Sequence, residues 1–180
     1  SEDIIEALSK KFGKDKFDVM RVESVGPAVG EDLRKAAFMA LVYAMIGICV
    51  YISLRFELRF AITAIVALIH DVLVSVGMVA LTGREISLPV IAALLTIVGY
   101  SINDTIVLFD RIREDRKFMR KSSMSEIVNA SINQTLSRTV LTSLTTLLVV
   151  ICLYVFGGKV INDFAFVLLV GVIVGTYSSI

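Results

Sequence analysis

Long apolar runs dominate the hydropathy pattern of the chain. A helix needs about 20 apolar residues to cross the roughly 30 Å hydrocarbon core of a bilayer. The runs are continuous rather than alternating, and they are about twice the length of a tilted barrel strand, which argues against β-spans. The pattern therefore predicts five membrane-spanning helices, at residues 35–54, 60–81, 88–109, 137–156 and 163–180.

Composition and the segment before the first span complete the predicted fold. Hydrophobic residues make up 56% of the 180 residues, more than a soluble domain of this size can bury. Apolar residues in segment 4–8 have helical spacing, and residues 17–25 alternate loosely like a strand. Such a pair of elements cannot form a core alone. We predict an all-α transmembrane helix bundle over residues 35–180, with residues 1–34 as the end of a larger periplasmic α+β domain.

Positive charge is concentrated between the third and fourth predicted spans. The cations there are Arg111, Arg113, Arg116, Lys117, Arg120 and Lys121. The turn after the first span adds Arg55 and Arg59, whereas each remaining turn carries a single cation. Because short cytoplasmic loops hold an excess of Lys and Arg, we predict that residues 110–136 are cytoplasmic and residues 1–34 extracytoplasmic. This orientation signal explains the basic loop without a nucleic-acid partner.

The same loop contains a helix-start signal. Ser123 and Glu126 have capping-box spacing, and apolar residues recur with a helical period from residue 127 to 136. The pattern predicts a short helix at the membrane interface, leading into the fourth span.

Charged side chains inside the predicted spans are the strongest functional signal. Asp104 lies in VGYSINDTIVLFDRIRE, and Arg138 lies in TLSRT. Ionisable groups at membrane depth are costly and usually mark ion paths, proton relays or substrate sites. With a rise of about 1.5 Å per residue, Asp104 is predicted about 9 Å inside the membrane boundary near Asp110. The long Arg138 side chain can extend to that level, so we predict that the two residues form a proton-coupling site.

The chemistry of these two groups suits a proton carrier. Low-dielectric surroundings favour the protonated form of a carboxyl group, whereas a nearby guanidinium favours the ionised form. Displacement of the Arg138 side chain would therefore switch Asp104 between the two forms. The alternatives are a static pair that orients helices and an Arg138 side chain that only extends to the lipid headgroups.

Other polar residues in the spans are secondary candidates. His70 and Asp71 project about 100° apart, so they cannot both face one partner, and we expect at least one of them to face the interior. Because His titrates near neutrality, a proton relay is one interpretation, and a hydrogen-bonded pair that fixes helix packing is the other. Ser101, Asn103 and Thr142 complete this set of relay or packing groups.

No catalytic residue, cofactor site or metal site is expected. Cys49 and Cys152 lie inside predicted spans, without CxxC spacing or a second type of metal ligand nearby, and we expect both to be buried thiols. The glycines inside the spans are expected to mark close helix contacts. They are Gly47, Gly77, Gly99, Gly171 and Gly175.

Several of these segments together resemble one family. ESVGPAVG, RFELR, ALIHDVL, GYSINDTIVLFDRIRE, TLSRT, LYVFGG and GTYSSI occur in the order seen in the SecD/SecF family of protein-export membrane proteins. The resemblance covers essentially the whole chain. The His-Asp pair of ALIHDVL and the GYSxND form favour the SecF branch. The family's first transmembrane helix and the front half of its periplasmic domain have no counterpart here, so we expect the sequence to be a fragment.

The resemblance implies membership of the resistance-nodulation-division superfamily and a location in the bacterial cytoplasmic membrane. It implies a non-enzymatic subunit that works with SecD and uses the proton-motive force to drive late steps of preprotein translocation through SecYEG. The implied partners are SecD, SecYEG, unfolded preprotein and membrane lipid, with the proton as coupling ion and no cofactor. Asp104 matches the family's titrating carboxylate, and Arg138 matches the arginine of its RT motif.

Functions of other classes remain as alternatives. A proton-driven exporter of small molecules or lipids would use the same charged residues, but it should need a substrate cleft in large external domains. An intramembrane aspartyl protease would need a GxGD motif, which the sequence lacks. A passive translocase scaffold predicts that neutral substitutions at Asp104 and Arg138 are tolerated.

Overall fold

The computed structural model describes residues 9–11 and 27–180. The helix and strand predicted ahead of residue 27 therefore lie largely outside the described residues. Residues 37–180 form one compact unit, and this unit contains every candidate site residue.

Five long helices make up the described part of the chain, which contains no strand. They are α1 (Pro27–Arg55), α2 (Leu58–Leu81), α3 (Leu88–Phe118), α4 (Met124–Phe156) and α5 (Gly158–Ser178). Each contains a stretch long and apolar enough to cross a membrane. The predicted all-helical membrane bundle is confirmed.

Three helices extend well beyond their predicted spans, and α1 already begins at Pro27. Helix α3 continues to Phe118, and α4 already begins at Met124, so the interfacial helix predicted before the fourth span is continuous with that span. The sequence of α4 contains no Gly or Pro that would break it. The predicted capping box is confirmed, because the Ser123 amide donates to Glu126 Oε2 at 2.8 Å and the Glu126 amide donates to Ser123 Oγ at 3.3 Å.

Helix α3 lies at the centre of the bundle. It packs against α2, α4 and α5, and α5 also packs against α2 and α4. Two apolar clusters follow α3, one around Ala64, Leu68 and Phe109 and the other around Ile97 and Val167. Helix α1 joins the first cluster through the fully buried Ile52, whereas its other classified side chains are exposed or half-buried. Lipid is as apolar as these side chains, so close packing and hydrogen bonds must hold the helices together.

Close approach of α5 to α3 depends on two glycines. A Cβ atom at Gly171 would collide with the Ile97 side chain, and one at Gly175 would lie 3.2 Å from the Ser101 Cβ atom. The prediction of close helix contacts is confirmed at these positions. It is wrong at Gly47, Gly77 and Gly99, where a Cβ atom would meet no atom of the described residues within 4 Å.

The end of the bundle that carries the α1–α2 and α3–α4 turns is here called the basic end. Arg116 of α3 donates to Glu57 in the α1–α2 turn at 2.8 Å, and Ser131 of α4 donates to the buried Asp115 of α3 at 2.8 Å. At the other end, Arg84 pairs with Asp163 and stacks over the Phe166 ring. Polar contacts therefore connect the helices at both ends of the bundle.

Candidate functional site

Asp104 lies on α3 at a small cavity between α3, α4 and the end of α5. Its side chain is buried, with a relative exposure of 7%. The cavity is lined by Asp104, Leu108, Ile132, Thr135, Leu136, Thr139, Ser179 and Ile180. Its polar groups are one carboxylate and three hydroxyl groups, and it leaves about 10 Å³ for the centre of a water molecule. We call it the Asp104 cavity.

The Asp104 carboxylate has no direct polar partner among the described residues. No hydrogen bond reaches it from the hydroxyl groups of its own cavity, and no Lys, Arg or His nitrogen lies within 4.0 Å of it. An ionised carboxylate in this position lacks the compensation that buried charges normally have. Its state therefore depends on water, on protons and on more distant charges.

Arg138 lines a second, larger space on α4. This cleft, here called the basic-end cleft, has a volume of about 780 Å³. Its lining residues are Tyr51, Arg55, Phe56, Ile106, Val107, Asp110, Arg111, Glu114, Gln134, Thr135 and Arg138. The guanidinium is close enough to Asp104 to act on it electrostatically, but the two groups do not form a direct ion pair. The structure thus brings the predicted residues near each other, in two spaces that Thr135 also lines.

Asp71 is the centre of a separate buried polar cluster. Its side chain is 0% exposed on α2. Asp71 Oδ2 accepts hydrogen bonds from Ser101 Oγ of α3 at 2.6 Å and from Ser178 Oγ of α5 at 2.8 Å. Gly175 allows α5 to come this close, since a Cβ atom there would lie only 3.2 Å from the Ser101 Cβ atom. Asp71 therefore ties three helices together.

His70 occupies the edge of this cluster. Its Nδ1 atom lies 3.1 Å from Asp71 Oδ1, while its side chain is 53% exposed on the bundle surface. The expectation that at least one member of the pair faces the interior is confirmed by Asp71. The geometry favours packing for Asp71, and it leaves the relay interpretation open for His70.

The remaining secondary candidates lie in different surroundings. Ser101 belongs to the Asp71 cluster, not to the Asp104 cavity. Thr142 bonds only to the backbone of its own helix, at Arg138 O and Thr139 O, both 3.0 Å away. Asn103 is exposed and forms no hydrogen bond with the described residues. None of these side chains bridges Asp104 to Arg138.

Several site residues were not predicted from the sequence. Ser178 was missed as a partner of Asp71, and Ser179 was missed as a wall of the Asp104 cavity. The available signal was a hydroxyl group inside an apolar run, as in GTYSSI. Spacing within one helix cannot show which neighbouring helix such a group will meet.

Metal ligands do not cluster in the part of the chain that the structure describes: no group of three or more His, Cys, Asp or Glu side chains is placed to hold a metal ion there. The prediction of two buried thiols was wrong for Cys152, which is exposed, and Cys49 is half-buried. A cysteine in a membrane span can face lipid, because lipid is as apolar as a protein interior.

The family model described as "Protein export membrane protein SecD/SecF, C-terminal" matches residues 4–180. The chain belongs to the SecD/SecF family. The protein translocase subunit SecF of Desulfurispirillum indicum is 56% identical over 180 residues, covering 98% of this chain and 57% of that protein. The SecF subunit of Calditerrivibrio nitroreducens is 54% identical, with 60% of its length covered. The chain thus spans little more than half the length of these curated relatives.

A solved SecD/SecF structure confirms the arrangement of the helices. The crystal structure of SecDF, a translocon-associated membrane protein from Thermus thermophilus, superposes with a TM-score of 0.91 and 51% identity. The match covers 100% of this chain and 25% of that one. The Thermus relative is named a SecDF subunit. Chains of this family therefore occur within larger proteins.

Proposed function

We propose that the chain is the membrane part of a Sec translocase accessory subunit of the SecF type. It acts with SecD and uses the proton-motive force to drive late steps of preprotein translocation through SecYEG. The proton is its coupling ion, and it performs no enzymatic reaction and requires no cofactor. The translocase names of its relatives support the general role, and a relative named SecDF supports SecD as the partner.

The proposed orientation follows from the distribution of charge. The basic end, which carries residues 110–123, faces the cytoplasm of a bacterial inner membrane, in accordance with the excess of cations there. Residues 1–34 are then periplasmic. The Asp104 cavity and the basic-end cleft lie on the cytoplasmic side of this arrangement.

The observation that supports proton coupling is the state of Asp104. A buried carboxylate that no hydrogen bond or ion pair compensates is costly in its ionised form. Arg138 is near enough to act on the ionised form. In the proposed cycle, protonation of Asp104 ends this attraction, α3 and α4 reorient, and α1 transmits the change to residues 1–34.

The energy available sets a limit on the cycle. One charge that crosses the membrane yields about 2.3 kcal/mol per 100 mV. Full reversal of a strongly skewed two-state equilibrium needs roughly 5.5 kcal/mol. A single proton can therefore bias the helix arrangement, whereas complete reversal of a strongly skewed equilibrium needs several protons.

Preprotein release from inverted vesicles tests the proposal. The vesicles contain SecD and the full-length protein, with and without an imposed proton gradient, and the variants are Asp104→Asn and Arg138→Gln. We expect Asp104→Asn to abolish the gradient-dependent part of release, a loss of at least about tenfold, and to leave the gradient-independent part unchanged. Arg138→Gln should reduce the gradient-dependent part as well.

The matched control is Glu85→Gln, which removes one negative charge from an exposed turn at the opposite end of the bundle. It should behave like the native protein. Normal gradient-dependent release by Asp104→Asn would refute proton coupling and favour a passive scaffold.

A further inference from the structure

The Asp104 cavity and the basic-end cleft meet at one residue. Thr135 lines both spaces, and no other residue is shared by their linings. Helix α4 places Thr135 one turn before Arg138 and Thr139, so its side chain is on the same face of the helix as a lining residue of each space. Thr135 is therefore the residue at which the two linings meet.

The Asp104 cavity has room for one water molecule. Its space of about 10 Å³ for a water centre is close to the minimum that a single water requires. A buried water also needs two to four polar partners, and the carboxylate of Asp104 with the hydroxyl groups of Thr135, Thr139 and Ser179 provides them. Because the carboxylate accepts no hydrogen bond from the described residues, a water there would be its direct partner.

The Thr135 hydroxyl can both donate and accept a hydrogen bond. Its hydrogen is shared between the carbonyl oxygens of Ser131 at 3.0 Å and Ile132 at 3.2 Å. The lone pairs of the oxygen remain available to accept a hydrogen bond from a water in the cavity. Rotation of the side chain would direct the hydrogen towards the basic-end cleft, which opens among the side chains of Arg111, Glu114 and Gln134.

We propose that Thr135 is the relay residue through which Asp104 exchanges protons with the cytoplasm. The O–H bond of protonated Asp104 breaks as its proton passes to the cavity water. This water gives one of its own protons to Thr135 Oγ1, and Thr135 releases its original proton to water in the cleft. The net result is the movement of one proton from Asp104 to the cytoplasm. The cavity water and the Thr135 hydroxyl are neutral before and after this transfer. This inference rests on the proposed proton coupling at Asp104.

Two substitutions at Thr135 test the relay. Thr135→Val keeps the size of the side chain and removes the hydroxyl, whereas Thr135→Ser keeps the hydroxyl. In the vesicles described above, we expect Val to lower the gradient-dependent rate of release on the order of tenfold or more, as for loss of a proton-transfer group. Ser should stay near the native rate. Proton flux out of the same vesicles, whose lumen corresponds to the periplasm, should change in parallel when it is measured with a pH-sensitive dye.

Thr145→Val is the matched control. Thr145 also bonds back along α4, to Leu141 O at 3.0 Å and Thr142 O at 2.9 Å, but it lines neither space. Its substitution should leave the rate unchanged. An equal loss in Thr145→Val would mean that the effect comes from helix distortion and would refute the relay.

Thr135→Ala separates a relay from a structural role. Ala removes the hydroxyl but also opens the wall, so water can connect the two spaces directly, and proton flux should match or exceed that of the native protein. Equal impairment of Ala and Val would overturn the inference. If Val fails to insert, Ala is compared with the native protein instead, and a lower proton flux in Ala would overturn the inference. If Asp104→Asn abolishes coupling while Thr135→Val does not, the relay is refuted and the proposed function stands. If Asp104→Asn has no effect, both are refuted.

Discussion

Two buried carboxylates in the same bundle have opposite surroundings. Asp71 is 0% exposed, and serine hydroxyls from two other helices donate to it at 2.6 and 2.8 Å. Asp104 is 7% exposed and has no hydrogen bond with the described residues, but it lines a cavity with space for a water. The difference indicates a structural role for Asp71 and a functional role for Asp104. A carboxylate that accepts hydrogen bonds from neighbouring helices stabilises one helix arrangement, whereas a carboxylate without such bonds is free to respond to a proton.

The contrast also explains how the bundle tolerates both groups. An acidic residue at a helix centre costs roughly 2.5–3.5 kcal/mol on insertion scales. Asp71 offsets this cost through contacts that join α2, α3 and α5. Asp104 has no such contacts among the described residues, so the free-energy cost of placing it in the membrane is not offset in the folded protein. A residue that weakens the fold without local compensation is expected at a functional site.

The largest predicted effect is on stability, and it distinguishes the two carboxylates. Asp71→Leu removes the acceptor of the Ser101 hydroxyl and leaves the Ser178 hydroxyl only the Gly175 carbonyl oxygen, at 3.2 Å. We therefore expect it to lower the free energy of unfolding by about 1–3 kcal/mol. Asp104→Leu breaks no hydrogen bond and should leave this free energy unchanged or raise it. Unfolding of the purified chain in bicelles by added SDS, followed by circular dichroism, measures both.

The same two variants should show the opposite order of effects on preprotein release. Asp104→Leu should abolish gradient-dependent release, and any activity lost by Asp71→Leu should track its lower stability. Equal destabilisation by the two substitutions would show that the hydrogen bonds around Asp71 do not contribute to stability. The proposed difference between the two carboxylates would then be wrong.

A smaller effect is expected from Gly175→Ala, which perturbs the Asp71 cluster without removing a polar group. The added Cβ atom would lie 3.2 Å from the Ser101 Cβ atom and 3.5 Å from Asp71 Oδ2, so α5 must shift away from α3. We expect a loss of about 1 kcal/mol in the free energy of unfolding, at the low end of the range for overpacked sites. The same SDS titration measures this loss.

Gly77→Ala is the control for this substitution. Nothing lies within 4 Å of a Cβ atom at that position, and Ala is a better helix former than Gly by about 0.5–1 kcal/mol. It should be neutral or stabilising. A stabilising Gly175→Ala would show that α5 does not need its close approach to α3.

The sequence predicted the elements of this fold better than their contacts. The five spans follow from the length of each apolar run, and the capping box at Ser123 follows from spacing within one helix. The junction before the fourth span was less predictable, because a helical period continues unbroken through it. Asp104 and Arg138 were identified as candidates because charge inside an apolar run is visible in one dimension.

The relations between helices could not be predicted in the same way. Asp71 and Ser178 are far apart in the chain, and their hydrogen bond depends on how α2 and α5 are rotated about their axes. The absence of a direct ion pair between Asp104 and Arg138 depends on the same rotation. Residue spacing gives depth in the membrane at about 1.5 Å per residue, but it does not give the direction of a side chain towards a neighbouring helix.

The smallest predicted effect is a coupling energy between Asp71 and Ser101. In a double-mutant cycle of Asp71→Leu with Ser101→Ala, we expect about 0.6 kcal/mol and at most about 1.7 kcal/mol, the range found for hydrogen bonds between membrane helices. The control cycle combines Asp104→Leu with Ser101→Ala. Ser101 is one turn from Asp104 but bonds to Asp71, so this cycle should be additive within about 0.3–0.5 kcal/mol. Coupling of Ser101 to Asp104 as strong as its coupling to Asp71 would mean that the two carboxylates belong to one polar network, and the division between a structural and a functional carboxylate would be wrong.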